Sequence, residues 1–399
     1  MNIFITLFSA NIDLEIKNGA SRHFLDLYKS FKKYENITLA YVRKKGKFGI
    51  SINKNGIKFI SIPNIASFKI FGTFLTLLLF EIIFLFDILL NENFRKVNVI
   101  YLRQTPLNFA VLFIHLFFKK PFIVETNSIV IEDLKERKRN IFIRLIYFLE
   151  KINFRYCSHI IIVTEQMKSY LILKYKVPEQ KITVIPNGYY FEKDFDYNKK
   201  YINLKSQFTS NKIEKFILLY YGNLHTREGI DFLLKATSIL IDNFPVEVYI
   251  IGEGIEENNL KTLSKKLRID NCVTFTGPLS KKEAASYISK AHICLAPLVI
   301  NRNSVIGVSP IKIFEYLAYR KPVIVSRLPG LEFIEKKNIG LLVKPEDVND
   351  LVEKIIYLFK NYNFAINMGN RGFEYVKKYH NWAVLSKRIN SLIKKSISY

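Results

Sequence analysis

The stretch Ser309-Pro310-Ile311-Lys312-Ile313-Phe314-Glu315-Tyr316-Leu317-Ala318-Tyr319-Arg320-Lys321-Pro322 concentrates residue types that together hold an anion. Ser309 suits a helix N-cap, and Pro310 suits the first helical position, where its missing N–H is no loss. The N–H groups of Ile311 and Lys312, the positive end of the helix dipole and the Lys312 ammonium would then make a site for a diphosphate. Glu315 falls four residues after Ile311, on the same helix face, where its carboxylate can bind sugar or ribose hydroxyls. A capped core helix with one exposed acid fits the same spacing, so residue types alone leave both readings open.

A second candidate lies near the N-terminus. Gly19 and Ala20 are expected in a loop between the first strand and a helix starting near Ser21, where glycine lets backbone N–H groups approach a phosphate or sugar hydroxyl closely. No further glycine follows in the dinucleotide-binding pattern, which argues against an NAD-dependent dehydrogenase. Asp194-Phe195-Asp196 resembles a metal-diphosphate motif of another transferase fold but sits in a polar linker, where a solvated role is expected. Cys157, Cys272 and Cys294 are too widely spaced for a disulfide framework or a zinc site, and the six histidines show no ligand spacing. No metal and no other cofactor is expected, and the compartment implied is a reducing cytoplasm.

The elements that must position these residues follow a simple rhythm. Short β-branched runs alternate with helical patterns along all 399 residues, the signature of strand-helix-strand units building parallel sheets. Strands are expected at Ile3 to Phe8, Val99 to Leu102, Phe122 to Glu125 and His159 to Val163, and again, after a Lys- and Asn-rich stretch from Phe191 to Glu214, at Phe216 to Tyr221, Glu247 to Ile251, Val273 to Thr276 and Ile293 to Pro297. The expectation is an α/β protein of two doubly wound domains facing a central cleft: residues 1–195, and residues 196–379, with a basic helix over about 380–399. Open parallel sheets bind ligands at the carboxyl ends of their strands, so such a cleft would hold a donor on one side and an acceptor on the other.

Sixty Lys and Arg against 35 Asp and Glu give a net charge of +25, which attracts anions. The basic residues are dispersed in pairs with no basic tail, a pattern that suits the surface of an anionic membrane better than nucleic acid. The N-terminus reads as a buried strand, not a signal peptide. Phe71 to Leu90 is almost wholly apolar and long enough to span a bilayer, but Glu81 and Asp87 interrupt it, so a helix lying on or within the protein is expected.

The motif around Lys312 resembles the donor-site signature of glycosyltransferase family 4, the retaining enzymes of GT-B fold. The resemblance extends along nearly the whole chain: Asn18-Gly19-Ala20-Ser21, Ile185-Pro186-Asn187-Gly188, Tyr221-Gly222 with Gly229, Ile251-Gly252-Glu253-Gly254, and Phe275-Thr276-Gly277. None of these short matches is specific alone; their order and spacing are. The resemblance implies transfer of a sugar from a UDP- or GDP-sugar to a glycan or lipid-linked acceptor, in cell-surface polysaccharide synthesis at the cytoplasmic face of the membrane. An inverting GT-B enzyme, or a GT-B-like protein that binds a membrane or partner without turnover, are the alternatives.

The resemblance also assigns residues. Of two family glutamates eight positions apart around the donor sugar, the second is Glu315 and the first falls on Gly307. A Gly-Arg-Leu-x-x-x-Lys-Gly pattern normally places two cations on the diphosphate; here Asn223 and Glu228 stand in those positions, and the neighbouring Arg227 is the candidate substitute. Arg302 is a further candidate. A family histidine near strand Phe122 to Glu125 is absent, leaving Glu125 or Asn127, close to Glu132, as expected polar contacts to the reacting sugars; a structural role at the strand end fits the same residues. The C-terminal helix, anchored by Trp382, would cross back onto the first domain.

Overall fold

The computed structural model describes residues 4–9, 19–31, 36–43, 49–52, 58–61, 69–90, 97–105, 107–129, 143–191, 215–301 and 303–397. The chain divides into two compact units, Met1–Pro186 with Trp382–Tyr399, and Asn187–Asn381. The expected linker lies almost wholly outside the described residues.

The first unit comprises β1 (Phe4–Ser9), α1 (Gly19–Phe31), β2 (Asn36–Arg43), β3 (Gly49–Ile52), β4 (Lys58–Ser61), α2 (Lys69–Leu90), β5 (Val99–Arg103), α3 (Ala110–Phe118), β6 (Phe122–Thr126), α4 (Ile143–Tyr156), β7 (His159–Ile162), α5 (Glu165–Tyr175) and β8 (Ile182–Val184). Its strands form one sheet in the order β3-β4-β2-β1-β5-β6-β7-β8, parallel except for the β3–β4 pair. Strands β5 and β6 are buried at every position, as a sheet covered by helices requires.

Helix α2 shows why an apolar stretch carries an acid at its middle. Glu81 is fully buried, and its carboxylate accepts from the N–H groups of Phe109 (3.1 Å) and Ala110 (2.8 Å) and from Asn108 Nδ2 (3.2 Å). It therefore caps the start of α3, whose own N-cap, Phe109, offers no side-chain bond. Burial pushes the Glu81 carboxyl up to about 8 against these three hydrogen bonds. Among the described residues no helix is long and apolar enough to cross a membrane.

The second unit comprises β9 (Phe216–Tyr221), α6 (Ile230–Leu240), β10 (Val246–Ile251), α7 (Glu257–Lys266), β11 (Val273–Gly277), α8 (Lys281–Lys290), β12 (Ile293–Ala296), α9 (Asn303–Ile306), α10 (Ile311–Ala318), β13 (Val323–Ser326), α11 (Phe333–Lys336), β14 (Gly340–Val343), α12 (Val348–Lys360) and α13 (Tyr362–Tyr379). The sheet order β11-β10-β9-β12-β13-β14 is that of a doubly wound fold, with its switch point between β9 and β12. Local signals place the helices: Ser280 and Glu283 form a capping box on α8, and Asp347 caps α12 by accepting from Asp350 N. Lys321, buried beside Pro322, donates to the carbonyls of Ser289 (2.8 Å) and Ala291 (2.7 Å) and so closes the C-terminal end of α8.

The last helix, α14 (Trp382–Ile397), belongs to the first unit. Trp382 is buried there with its ring edge-on to His23 at 4.9 Å. Strand β4 lies where the run from Lys58 to Ile62 reads as a strand, whereas β3, Gly49–Ile52, shows no period in the sequence that would mark it.

Candidate functional site

In the second unit the candidate residues gather where doubly wound sheets bind ligands, at the carboxyl ends of the strands beside the switch point. Gly222, Gly252 and Gly277 stand in a row across the ends of β9, β10 and β11: Gly222 N–H donates to Ile251 O and Gly252 N–H to Gly277 O, both at 3.0 Å. The loop after β9 runs through a single 3₁₀ turn, Thr226–Glu228, which holds Arg227 and Glu228. From the other side of the switch point α10 brings Lys312.

Lys312 Nζ donates to Glu228 Oε2 and to the Tyr220 hydroxyl, each at 2.7 Å, and lies over the Tyr220 ring. Arg227 Nε is 3.5 Å from the other Glu228 oxygen. Burial by itself would raise the Glu228 carboxyl, but Lys312 and Arg227 hold it below the ordinary carboxylate range. Burial likewise draws the Lys312 amine below its usual value, although Glu228 opposes this. Two cations against one carboxylate leave a single positive charge. Lys312 is thus not the lone cation that the motif suggests: Glu228, at the position of the family's usual lysine, neutralises it. Gly222 makes room for this arrangement, since a Cβ there would sit 2.6 Å from Lys312 Nζ.

The start of α10 differs from the sequence expectation in one respect. The helix begins at Ile311 with Pro310 in the capping position, and no side chain caps it. Ser309 instead serves Asn187: the Asn187 N–H donates to Ser309 Oγ at 3.0 Å, and Asn187 Nδ2 donates to Ser309 O at 2.6 Å. Asn187 satisfies a backbone acceptor that an N-cap serine would leave aside, so Ser309 anchors the loop and leaves the helix end to its dipole. Ser309, Pro310, Ile311 and Lys312 are half-buried, whereas Ile313 to Ala318 are buried. Glu315 lies in that buried turn, 2% exposed. Tyr316 ties α10 to β9, accepting from Tyr221 N (2.7 Å) and donating to Tyr221 O (3.2 Å). Gly307, where the first family glutamate would stand, has φ +70°, a left-handed conformation that disfavours a glutamate. Arg302 lies outside the described residues.

In the first unit Glu125 is held in a buried polar cluster. It is buried with His23 Nε2 2.5 Å and Arg103 Nη1 2.6 Å from Oε1, while the Tyr101 hydroxyl donates to Oε2 at 2.9 Å. Burial alone would raise this carboxyl, but His23 and Arg103 hold it at about 2. A carboxylate already accepting from this many donors has little capacity left for a ligand. His23 is its partner across 102 positions, a relationship no local pattern carries. Asn127 sits half-buried in the turn after β6. Gly19 and Ala20 form the first turn of α1 and not a preceding loop. Glu132 and Asp194-Phe195-Asp196 lie outside the described residues.

Two family models match this chain: "Glycosyltransferase Family 4" over residues 17–193 and "Glycosyl transferases group 1" over residues 215–361. The chain belongs to glycosyltransferase family 4. Its fold is GT-B, built of two Rossmann-like units. Among curated relatives, the capsular polysaccharide biosynthesis glycosyltransferase CapM of Staphylococcus aureus is 24% identical over 268 residues, 63% of this chain and 66% of that protein. The chain spans between 44% and 66% of the length of the first curated relatives it matches. Sucrose-phosphate synthase from Thermosynechococcus elongatus superposes with TM-score 0.75 at 18% identity, covering 100% of both chains. Anabaena HepE in complex with UDP and glucose superposes with TM-score 0.70 at 15% identity, covering 99% of this chain and 100% of that one. At the two cationic positions of the Gly-Arg-Leu-x-x-x-Lys-Gly pattern this chain carries Asn223 and Glu228, and Arg227 and Lys312 flank Glu228.

Proposed function

We propose that this family 4 member transfers a sugar, with retention of configuration, from a UDP- or GDP-sugar to a glycan or lipid-linked acceptor in cell-surface polysaccharide synthesis, on the cytoplasmic face of the membrane. One observation carries the donor reading: a half-exposed helix N-terminus with Arg227 and Lys312 beside it, at the switch point of a parallel sheet. CapM in capsule synthesis and HepE with UDP support the pathway and the nucleotide.

In this reading the diphosphate lies against the amides of Ile311 and Lys312 with Arg227 on its oxygens, and the row of Gly222, Gly252 and Gly277 admits the nucleotide close to the backbone. The acceptor oxygen bonds to the anomeric carbon as the bond from that carbon to the diphosphate breaks. The acceptor's proton passes to a leaving phosphate oxygen, so the protein's task is to stabilise charge growing on the diphosphate. Glu315 holds sugar or ribose hydroxyls, and Asn127 contacts the reacting sugars. No metal or other cofactor takes part.

A thermal-shift screen against UDP- and GDP-sugars tests this, since a ligand bound by the native state alone raises its melting temperature. One nucleotide class should stabilise the chain, Glu315→Ala and Lys312→Ala should abolish the shift, and product analysis should give the donor's anomer. No shift with any nucleotide sugar would replace the enzyme by a non-catalytic GT-B scaffold, and the opposite anomer would make it an inverting transferase.

A further inference from the structure

We propose that the outer face of the layer formed by α2, α3 and α4 rests on an anionic lipid surface. The proposal deepens the peripheral-membrane part of the proposed function by naming the face, and it stands on the first unit alone.

The three helices lie side by side. The β4-to-β5, β5-to-β6 and β6-to-β7 crossovers all step in the same direction along one sheet, and crossovers of one hand then place their helices on one side. Contacts agree: Glu81 of α2 caps α3, Asn153 Nδ2 of α4 donates to Asn108 O before α3 at 2.7 Å, and the rings of His115 and Tyr156 join α3 to α4 at 6.1 Å. Each helix returns against its strands, so the three C-terminal ends gather at one edge.

That edge is apolar and open. Leu90 is 82% exposed, Phe86 60%, and Phe117 67%, with Phe118 next to it. Large apolar side chains facing solvent on adjacent helices mark a surface that something covers. Its charge identifies the occupant. The exposed residues Arg144, Phe148, Lys151 and Arg155 recur at helical spacing along one face of α4 that runs from its start down to this edge, three cations around an aromatic ring, and the helix's glutamate, Glu150, is buried. Lys119 is exposed directly after Phe118. Half-buried Asp87 is the acid of α2 at this end. A protein partner or second copy with a matching apolar patch gives no reason for cations set among the aromatics, whereas lipid does. Rings enter the headgroup boundary while Arg and Lys reach its phosphates.

Flotation of the full chain with phosphatidylcholine vesicles, and with vesicles that also contain phosphatidylglycerol, tests the assignment. Binding is expected on the anionic vesicles and weak on the neutral ones. Arg144→Glu/Lys151→Glu/Arg155→Glu should reduce the anionic partition about a hundredfold, and Phe117→Ser/Phe148→Ser should reduce it on both. All five side chains are exposed, so melting temperatures should hold; the milder Arg144→Gln/Lys151→Gln/Arg155→Gln set serves if they do not. Variants that float like the parent overturn the proposal. So does a concentration-dependent dimer, seen by light scattering and lost in the Phe variant, when no vesicle binding occurs. Vesicle binding lost with the nucleotide-sugar shift intact strikes this proposal alone; the reverse outcome strikes the donor reading alone.

Discussion

Lys312 and Glu228 face each other at 2.7 Å across the switch point of the second unit's sheet, so the motif lysine meets any ligand already paired. Their side chains are 13% and 11% exposed, which makes the pair strong enough to set the site's charge and weakly enough hydrated to matter for stability. Glu228→Gln should keep the fold, release the Lys312 charge toward a diphosphate and tighten UDP or GDP binding about tenfold. Lys312→Met should instead leave the buried Glu228 with Arg227 and the Tyr220 hydroxyl, destabilising by about 3 kcal/mol and weakening nucleotide binding. Calorimetric titration with UDP and GDP at low and high salt, beside denaturant melts, checks both; unchanged affinity in Glu228→Gln would show that Glu228 does not tune the site.

Gly222 combines a close approach with an unusual backbone. A methyl group there meets the flexible end of Lys312, at 2.6 Å from Nζ and 2.9 Å from Cε, and φ is +156°, where L side chains are rare. Gly222→Ala should therefore displace the ammonium and strain the backbone, with a stability loss of about 2 kcal/mol and weaker nucleotide binding. Equal losses of melting temperature and affinity would assign Gly222 a packing role.

The site's location was legible in the sequence because it depends on short-range rules. Pro310 followed by an apolar helical period marks the start of α10, and β-branched runs before Gly222, Gly252 and Gly277 mark strand ends. Its electrostatics were not. Glu228 and Lys312 are 84 positions apart, and only the sheet order β9 beside β12 makes them neighbours. For the same reason local sequence could not separate the two readings of Glu125: a polar residue at a strand's carboxyl end is available to a ligand only if nothing distant claims it, and His23 on α1 lies 2.5 Å from its carboxylate. Ser309 had every local mark of an N-cap, but the loop at Asn187 takes its oxygens.

Asn187 and Ser309 tie together two motifs 122 positions apart. Asn187→Ala removes one of the two hydrogen bonds, that from Nδ2 to Ser309 O, and leaves this carbonyl half-buried without that donor. The expected loss is about 1 to 2 kcal/mol, and loosening the turn before α10 should weaken UDP or GDP binding as well. Ser309→Ala, which removes the other bond, should act in the same direction. Hydrogen exchange of the amides from Val308 to Ile313 provides the check: faster exchange confined to this turn is expected, and unchanged exchange would deny the link.

Glu125 sets an acid limit on the first unit. Its carboxyl is held at about 2 in the fold against an ordinary value of 4.5. A carboxyl depressed by folding contributes stability that is complete above the ordinary value and disappears as pH falls through the folded one, so the loss runs from about pH 4.5 down to about pH 2. A depression of this size corresponds to roughly 3 kcal/mol. Glu125→Gln should remove a comparable amount at neutral pH, because Arg103 and His23 then lack their anion, and should flatten the acid limb of stability against pH. Chemical denaturation of the two proteins across the acid range measures both effects. Parallel curves would mean that some other carboxylate governs acid unfolding, while a flattened limb with nucleotide binding retained would fix Glu125 as a structural residue and place the acceptor contacts elsewhere on the β6 turn.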